Sequence, residues 1–260
     1  MKIITVTNQK GGTGKTSTAI QLAAGLFFKG YRTLSIDLDA QGNLTYTAGA
    51  KTDGATALGV LTGEVKTADA IQQTQTGDII PANKALAGAD AFITDTGKEY
   101  RLKEALESVS GEYDYCIIDT PPALGILTIN ALTACNSVII PAQADIYSLQ
   151  GIEQLAETIK PVKKYCNPAL AIEGILLTRY SPRSVLSRDI ADLAGRLAEK
   201  LGTKLFKTTI REAIAVKESQ ISQQSLFTYA PKAKVTDDYR AFVDEIIGEE
   251  SLHNGTEEKL

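Results

Sequence analysis

Apolar residues along the chain fall into two alternating rhythms. Short β-branched runs occur at Lys2–Asn8, Arg32–Asp37, Asp78–Pro81, Asp114–Asp119, Ser137–Pro141, Leu170–Leu177 and Lys204–Ile210, and each reads as a buried strand. Between them the apolar positions recur at helical spacing. After Lys15, Ile20, Leu22, Ala23, Leu26 and Phe27 share one face of a helix to Lys29, closed by Gly30. Further helices are expected over Lys98–Ser108, Ile126–Ala134, Ser148–Tyr165, Arg183–Leu201, Glu212–Gln220 and Val235–Ile247. The stretch from Gly49 to Gly77 gives only short helical pieces, Ala55–Leu61 and Ala68–Gln73. Strands alternating with helices predict an α/β fold, a doubly wound and mostly parallel sheet with helices on both faces. One domain is expected over residues 1–248, followed by an acidic flexible tail over 249–260 that contains the single histidine, His253.

The first strand runs into Lys10-Gly11-Gly12-Thr13-Gly14-Lys15-Thr16-Ser17, and the first helix follows directly. A glycine-rich loop between a buried strand and a helix is the setting of a phosphate cradle. Its glycines let backbone N–H groups turn inward, and the helix N-terminus adds positive potential. Lys15 is placed to reach the β- and γ-phosphates of a nucleotide, and the Thr16 hydroxyl to hold Mg²⁺. A second lysine, Lys10, makes the loop a deviant form of G-x-x-x-x-G-K-[ST].

Two more strands end in carboxylates. Asp37-Leu38-Asp39-Ala40-Gln41-Gly42-Asn43 follows the second strand, and Asp119-Thr120-Pro121-Pro122 follows the run Cys116-Ile117-Ile118. In open α/β sheets the carboxyl ends of the strands are where ligands bind. The loop, these two segments and the Pro141 turn are therefore expected to meet there. Asp119 would stand near the metal, with Asp37 supporting the metal or the loop. Asp39 would orient the attacking water in ATP hydrolysis, where positioning and charge neutralisation do most of the work.

The chain has 260 residues, 43% of them hydrophobic, with a net charge of −4. That supports a full core, and no run approaches a membrane-spanning length. The chain enters its first strand at once, so no leader segment is predicted. Cys116, Cys135 and Cys166 are widely spaced, which suits packing in a reducing cytoplasm better than disulfides or a metal site. The charge is uneven. Residues 179–240 hold twelve basic and seven acidic side chains, whereas residues 1–178 hold fourteen and eighteen, and residues 241–260 one and six. A polyanion-binding surface is expected in the basic stretch.

These motifs resemble the ParA/Soj family of DNA-partition ATPases, relatives of MinD, over most of the chain. Thr7–Thr16 looks like the family's signature loop. Asp37–Asn43 looks like its second motif, with Ala40 where Pro is usual, and Ile117–Pro122 followed by Leu124-Gly125 looks like its Walker B segment. Val138–Pro141 and Gly174–Thr178 match two later core strands.

The resemblance implies ATP and Mg²⁺ as ligands. It also implies an ATP-sandwich homodimer in which Lys10 touches the partner's phosphates, Asp39 as the residue required for hydrolysis, and Asp119 as the metal-associated carboxylate. Gly11 and Gly12 would let two backbones approach across the dimer. It further implies binding of double-stranded DNA without sequence preference, stimulation by a ParB-like centromere-binding protein, and a cytoplasmic, nucleoid-associated location. Arg183, Arg188, Arg211 and Lys217 are the DNA candidates, with Lys204 and Lys207 in reserve. The segment Ile210–Ser219 departs from the family's Arg-rich pattern there, with Ala215 at a position where a basic residue is usual.

Relatives with the same loop do other work. A MinD-like membrane-cycling ATPase would end in a basic amphipathic helix, but Val235–Ile247 carries mainly acidic charge beside Tyr239, Phe242, Val243 and Ile246. A nitrogenase-iron-protein-like reductase would need paired loop cysteines. A biosynthetic ligase of the same fold would use ATP to activate a small molecule.

Overall fold

A computed structural model describes the backbone of residues 1–257 and the side chains as far as Gly248. Seven strands form one sheet: β1 (Lys2–Val6), β2 (Thr33–Asp37), β3 (Gln72–Thr74), β4 (Gly77–Ile80), β5 (Tyr115–Asp119), β6 (Ser137–Gln143) and β7 (Ala171–Thr178). Their order is β3-β4-β2-β5-β1-β6-β7, and every pairing is parallel except the β3–β4 hairpin.

The strands read as continuous apolar runs because both faces are covered. Their side chains alternate between cores. Cys116 and Ile118 face one side, packed with Leu34, Ile36, Leu102 and Leu106. Tyr115 and Ile117 face the other, packed with Leu22, Leu26, Phe242 and Ile246. Beyond β1, Val138 and Ile140 pack under the helices Ile146–Tyr165 and Val185–Lys200. The apolar stripe of the last helix is thus core: Tyr239, Phe242, Val243 and Ile246 are buried. This helix lies so close to Lys15–Phe28 that a Cβ on Gly25 would stand 2.5 Å from Val243 Cγ2. Only glycine lets the two approach this closely.

Four expectations need correcting. Lys204–Ile210 forms no strand; its backbone pairs with β7 only at two isolated bridges, Ile175 to Leu205 and Thr178 to Ile210. The cause is Glu245, whose carboxylate accepts from Lys207 N (2.9 Å) and Thr208 N (3.0 Å), so these donors leave the ladder. The end of the predicted helix Ala68–Gln73 is instead an edge strand, turned back by Gly77 at φ 106. A short helix, Asn43–Thr47, forms where none was read. The last helix runs Lys234–Glu257, through the point where a tail was expected to begin. Residues 258–260 lie outside the described residues, as does the side chain of His253.

Among the described residues no helix is long and apolar enough to cross a membrane. Burial pushes the Cys116 and Cys135 thiols up in pKa, so both stay protonated as packing groups.

Candidate functional site

Parallel pairing sets the site. Val6 pairs with Asp119 and Asp119 with Asp37, so the carboxyl ends of β1, β5 and β2 lie in one row. The phosphate loop leaves β1 at the centre of that row. Gly12 (φ 77) and Gly14 (φ 87) take left-handed conformations that side chains resist. Gly14 directly precedes the helix Lys15–Phe28, whose first N–H groups point into the loop.

Neighbouring strands pin the loop. Thr178 Oγ1, at the end of β7, donates to Thr13 O at 2.8 Å, and Gln143 Nε2, at the end of β6, donates to Gly12 O. Asn8 Nδ2 donates to Pro141 O at 2.7 Å while its Oδ1 accepts from Lys10 N at 3.0 Å. β6 therefore continues past the expected turn. Pro141 is a buried strand residue that supports the loop from behind, and Gln143 takes the edge position.

The charged groups play different parts. Lys15 is buried and its ammonium donates to Lys10 O at 3.2 Å. Burial lowers its pKa, against the pull of the Asp119 and Asp39 charges. Asp119 is fully buried, and neither carboxylate oxygen has a hydrogen-bond partner among the described residues. Burial and the neighbouring Asp37 hold Asp119 well above the usual carboxylate range; the Thr16 hydroxyl, which approaches without hydrogen-bond geometry, and Lys15 pull the other way. An orphaned buried carboxylate beside a hydroxyl is the donor set a hard cation takes, so the residues fit a Mg²⁺ ion.

Asp37 is spent differently. Its Oδ2 accepts from Thr45 N (2.8 Å) and Thr45 Oγ1 (2.7 Å), and its Oδ1 from Asp39 N (3.0 Å). It thereby shapes the loop and the helix Asn43–Thr47, the loop-supporting role that is one of the two expected of it. Asp39 is half-buried, and its Oδ1 accepts from Gln41 N at 3.0 Å.

Lys10 does not face the loop's own interior. Its ammonium is held by both oxygens of Asp145, at 2.7 and 2.8 Å. Gly11 is exposed, and a Cβ there would meet nothing within 4 Å.

A cavity of about 240 Å³ opens beside Gly14 and Ser17, walled by Thr178, Arg179, Ile210, Ala213 and Lys217. Ser17 Oγ there accepts from Gln220 Nε2 at 3.0 Å. A wider groove of about 1010 Å³ lies at the opposite edge, among Lys2, Arg32, Asp114 and Glu173. It is remote from the glycine loop and the carboxylate row, so the smaller cavity is the one that adjoins the chemistry. Thr178, Gln143 and Arg179 were missed in the sequence, although each stands at or just beyond a strand's carboxyl end.

Two of the DNA candidates, Arg211 and Lys217, line the same cavity beside the loop. Arg211 makes a bidentate pair with Asp238, both contacts at 2.6 Å. Lys204 lies over the Phe206 ring with its pKa lowered by burial, and Lys207 contributes its backbone N–H to Glu245. Arg183 and Arg188 flank the start of the helix Val185–Lys200, where Arg188 donates to Pro182 O at 3.0 Å.

Residues 1–172 match the AAA domain family. Sporulation initiation inhibitor protein Soj of Bacillus subtilis is 40% identical over 94% of this chain and 98% of its own length. Chromosome partitioning protein ParA of Myxococcus xanthus is 36% identical over 95% of this chain and 88% of its own. Among solved structures, cobyrinic acid a,c-diamide synthase from Mycobacterium smegmatis with bound ATP analogue and magnesium superposes with a TM-score of 0.83. It is 35% identical and covers 95% of this chain and 94% of its own.

Proposed function

Since this chain belongs to the ParA/Soj family of P-loop ATPases, we propose that it is a DNA-partition ATPase that hydrolyses ATP to ADP and phosphate. ATP enters at the row of strand ends, with its phosphates in the loop and its base in the cavity beside Gly14 and Ser17. Lys15 exchanges its bond to the Lys10 carbonyl for one to a phosphate oxygen. Thr16 and Asp119 hold Mg²⁺, which when bound neutralises charge on the β- and γ-phosphates. Asp39, at the open side of the row, orients the attacking water.

Two loaded subunits then close face to face, each offering Lys10 to the other's phosphates. The dimer binds double-stranded DNA without regard to sequence, with Arg183 and Arg188 as its main phosphate contacts. A ParB-like protein on the cargo stimulates hydrolysis, which ends the dimer and frees the DNA. Because DNA and ATP both favour the dimer, each strengthens binding of the other.

The observation that carries this reading is the pairing of a two-lysine glycine loop with an orphaned, fully buried Asp119 at the same sheet edge. The experiment is Asp39→Ala assayed with ATP, arbitrary duplex DNA and lipid vesicles. The variant is expected to bind ATP, lose turnover by on the order of 100-fold or more, and stay on DNA as a dimer. Normal turnover would remove Asp39 from its role. Binding to vesicles without binding to DNA would replace the partition reading with a MinD-like membrane cycle.

A further inference from the structure

The grip on Lys10 follows from no family motif. Its ammonium sits between the two carboxylate oxygens of Asp145 at 2.7 and 2.8 Å, with Ser148 Oγ at 3.4 Å and the Tyr147 ring centroid at 5.7 Å. Asp145 is itself fixed. It is the N-cap of the helix Ile146–Tyr165, accepting from Ser148 N at 2.9 Å and Ser148 Oγ at 3.1 Å. Burial alone would raise its pKa, yet the Lys10 and Ser148 hydrogen bonds keep it below the usual carboxylate range.

The backbone under Lys10 is clamped as well. Asn8 ties Lys10 N to the Pro141 carbonyl, and the helix packs so closely that a Cβ on Gly151 would lie 3.1 Å from Asn8 Oδ1 and 3.6 Å from Lys10 Cβ. Only the flexible four-carbon stem of Lys10 is free to swing. The ammonium thus has two mutually exclusive partners, a carboxylate on its own subunit or a phosphate on another.

We propose that Asp145 is a positioning residue for Lys10: it holds the ammonium in cis, and its release sets the concentration at which nucleotide-loaded subunits pair. This rests on the trans role given to Lys10 above. Both side chains of the pair are 30% exposed, so solvent screening keeps the hold modest, about two lysines held for each one free. A sandwich dimer needs both lysines released. The hold therefore enters twice, and its removal shifts dimerisation by about tenfold.

Asp145→Asn tests this. Asparagine caps helices as well as aspartate does, so the fold keeps its cap while Lys10 loses its counter-charge. Two readouts are needed: the rate at which Lys10 is acetylated in the nucleotide-free monomer, followed by mass spectrometry, and the protein concentration giving half-dimer with ATP, followed by sedimentation. The expected result is faster Lys10 acetylation and dimerisation at about tenfold lower concentration, with the melting temperature unchanged. Unchanged acetylation would overturn the latch. Faster acetylation with unchanged dimerisation would overturn its control of pairing. If the unaltered chain forms no dimer with ATP, the partition reading fails along with that control, while acetylation still reports the latch by itself. Asp145→Ser, another good cap that is too short to hold the ammonium, repeats both readouts should the Asn variant fold poorly.

Discussion

The strand-end row and the basic stretch from Arg179 to Arg240 organise their charges in opposite ways. In the row, most partners are close in sequence or fixed by strand register. Asp39 N bonds Asp37, Gln41 N bonds Asp39, and Asp37 pairs with Asp119 across two adjacent parallel strands. In the basic stretch Arg240 pairs locally with Asp237, but other partners come from further away. Arg211 pairs with Asp238, Arg179 approaches Glu212 at 4.0 Å, and Lys200 lies 3.5 Å from Glu153. A run of motif residues therefore translates directly into geometry, whereas a local surplus of charge does not say which charges are already paired.

The largest test of the row is removal of Lys15. Its ammonium is buried and already directed at a loop carbonyl that a phosphate would displace. Lys15→Ala is expected to weaken ATP binding by on the order of 100-fold, about 3 kcal/mol, in a fluorescent-nucleotide titration. The fold should survive, because the loop is held independently by Thr178, Gln143 and Asn8. Unchanged affinity would break the comparison at its stronger end, since the row would then hold no phosphate.

The same contrast explains what the sequence revealed and what it hid. The central strands were legible because burial on both faces leaves long β-branched runs such as Cys116-Ile117-Ile118. The phosphate loop was legible because its glycines have a local conformational reason. The strand expected at Lys204–Ile210 was wrong for a non-local reason, since Glu245, some forty residues further on, takes two of its N–H groups. Gln143, Thr178 and Asp145 were hidden for a similar reason: each acts on the loop from more than a hundred residues away. Asp37 was placed correctly at the row, but its three hydrogen bonds to Thr45 and Asp39 could be counted only in three dimensions.

Asp37 supplies a pH test of intermediate size. Burial pushes its pKa up to about 6, against the hydrogen bonds from Thr45 and Asp39. A folded-state value above the unfolded one means that the native state holds its proton longer. Between roughly pH 4 and pH 6 the unfolded chain releases that proton first, so stability falls as pH rises, and above that window the loss stays constant. Asp37→Asn removes this titration. Unfolding free energies from denaturant titrations are expected to move in favour of the Asn variant by about 2 kcal/mol on going from pH 4 to pH 7, whatever the offset between the two proteins at pH 4. A gap that does not change with pH would show that the row is solvated, and would weaken the contrast with the basic stretch.

The smallest expected effect probes the basic stretch, where the comparison can be sharpened most. Arg211 commits the Nε–Nη2 edge of its guanidinium to Asp238, whose side chain is only 11% exposed, so the pair leaves it little net charge to offer a polyanion. Arg183 and Arg188 sit at the start of a helix where Arg188 uses one N–H on a neutral carbonyl, leaving its charge unneutralised by that contact. The surface reading therefore separates residues that composition alone lumps together. Arg183→Ala and Arg188→Ala should each weaken ATP-dependent DNA binding by about 1 kcal/mol and lower the slope of log affinity against log salt by about one. Arg211→Ala should leave that slope alone and instead cost about 1 kcal/mol of folding stability, because it strands a nearly buried carboxylate. The decisive measurement is the salt slope of all three variants on one duplex. Equal slopes for Arg183, Arg188 and Arg211 would mean that the Arg211 pair opens on DNA and that the stretch acts as the continuous basic face its composition suggests.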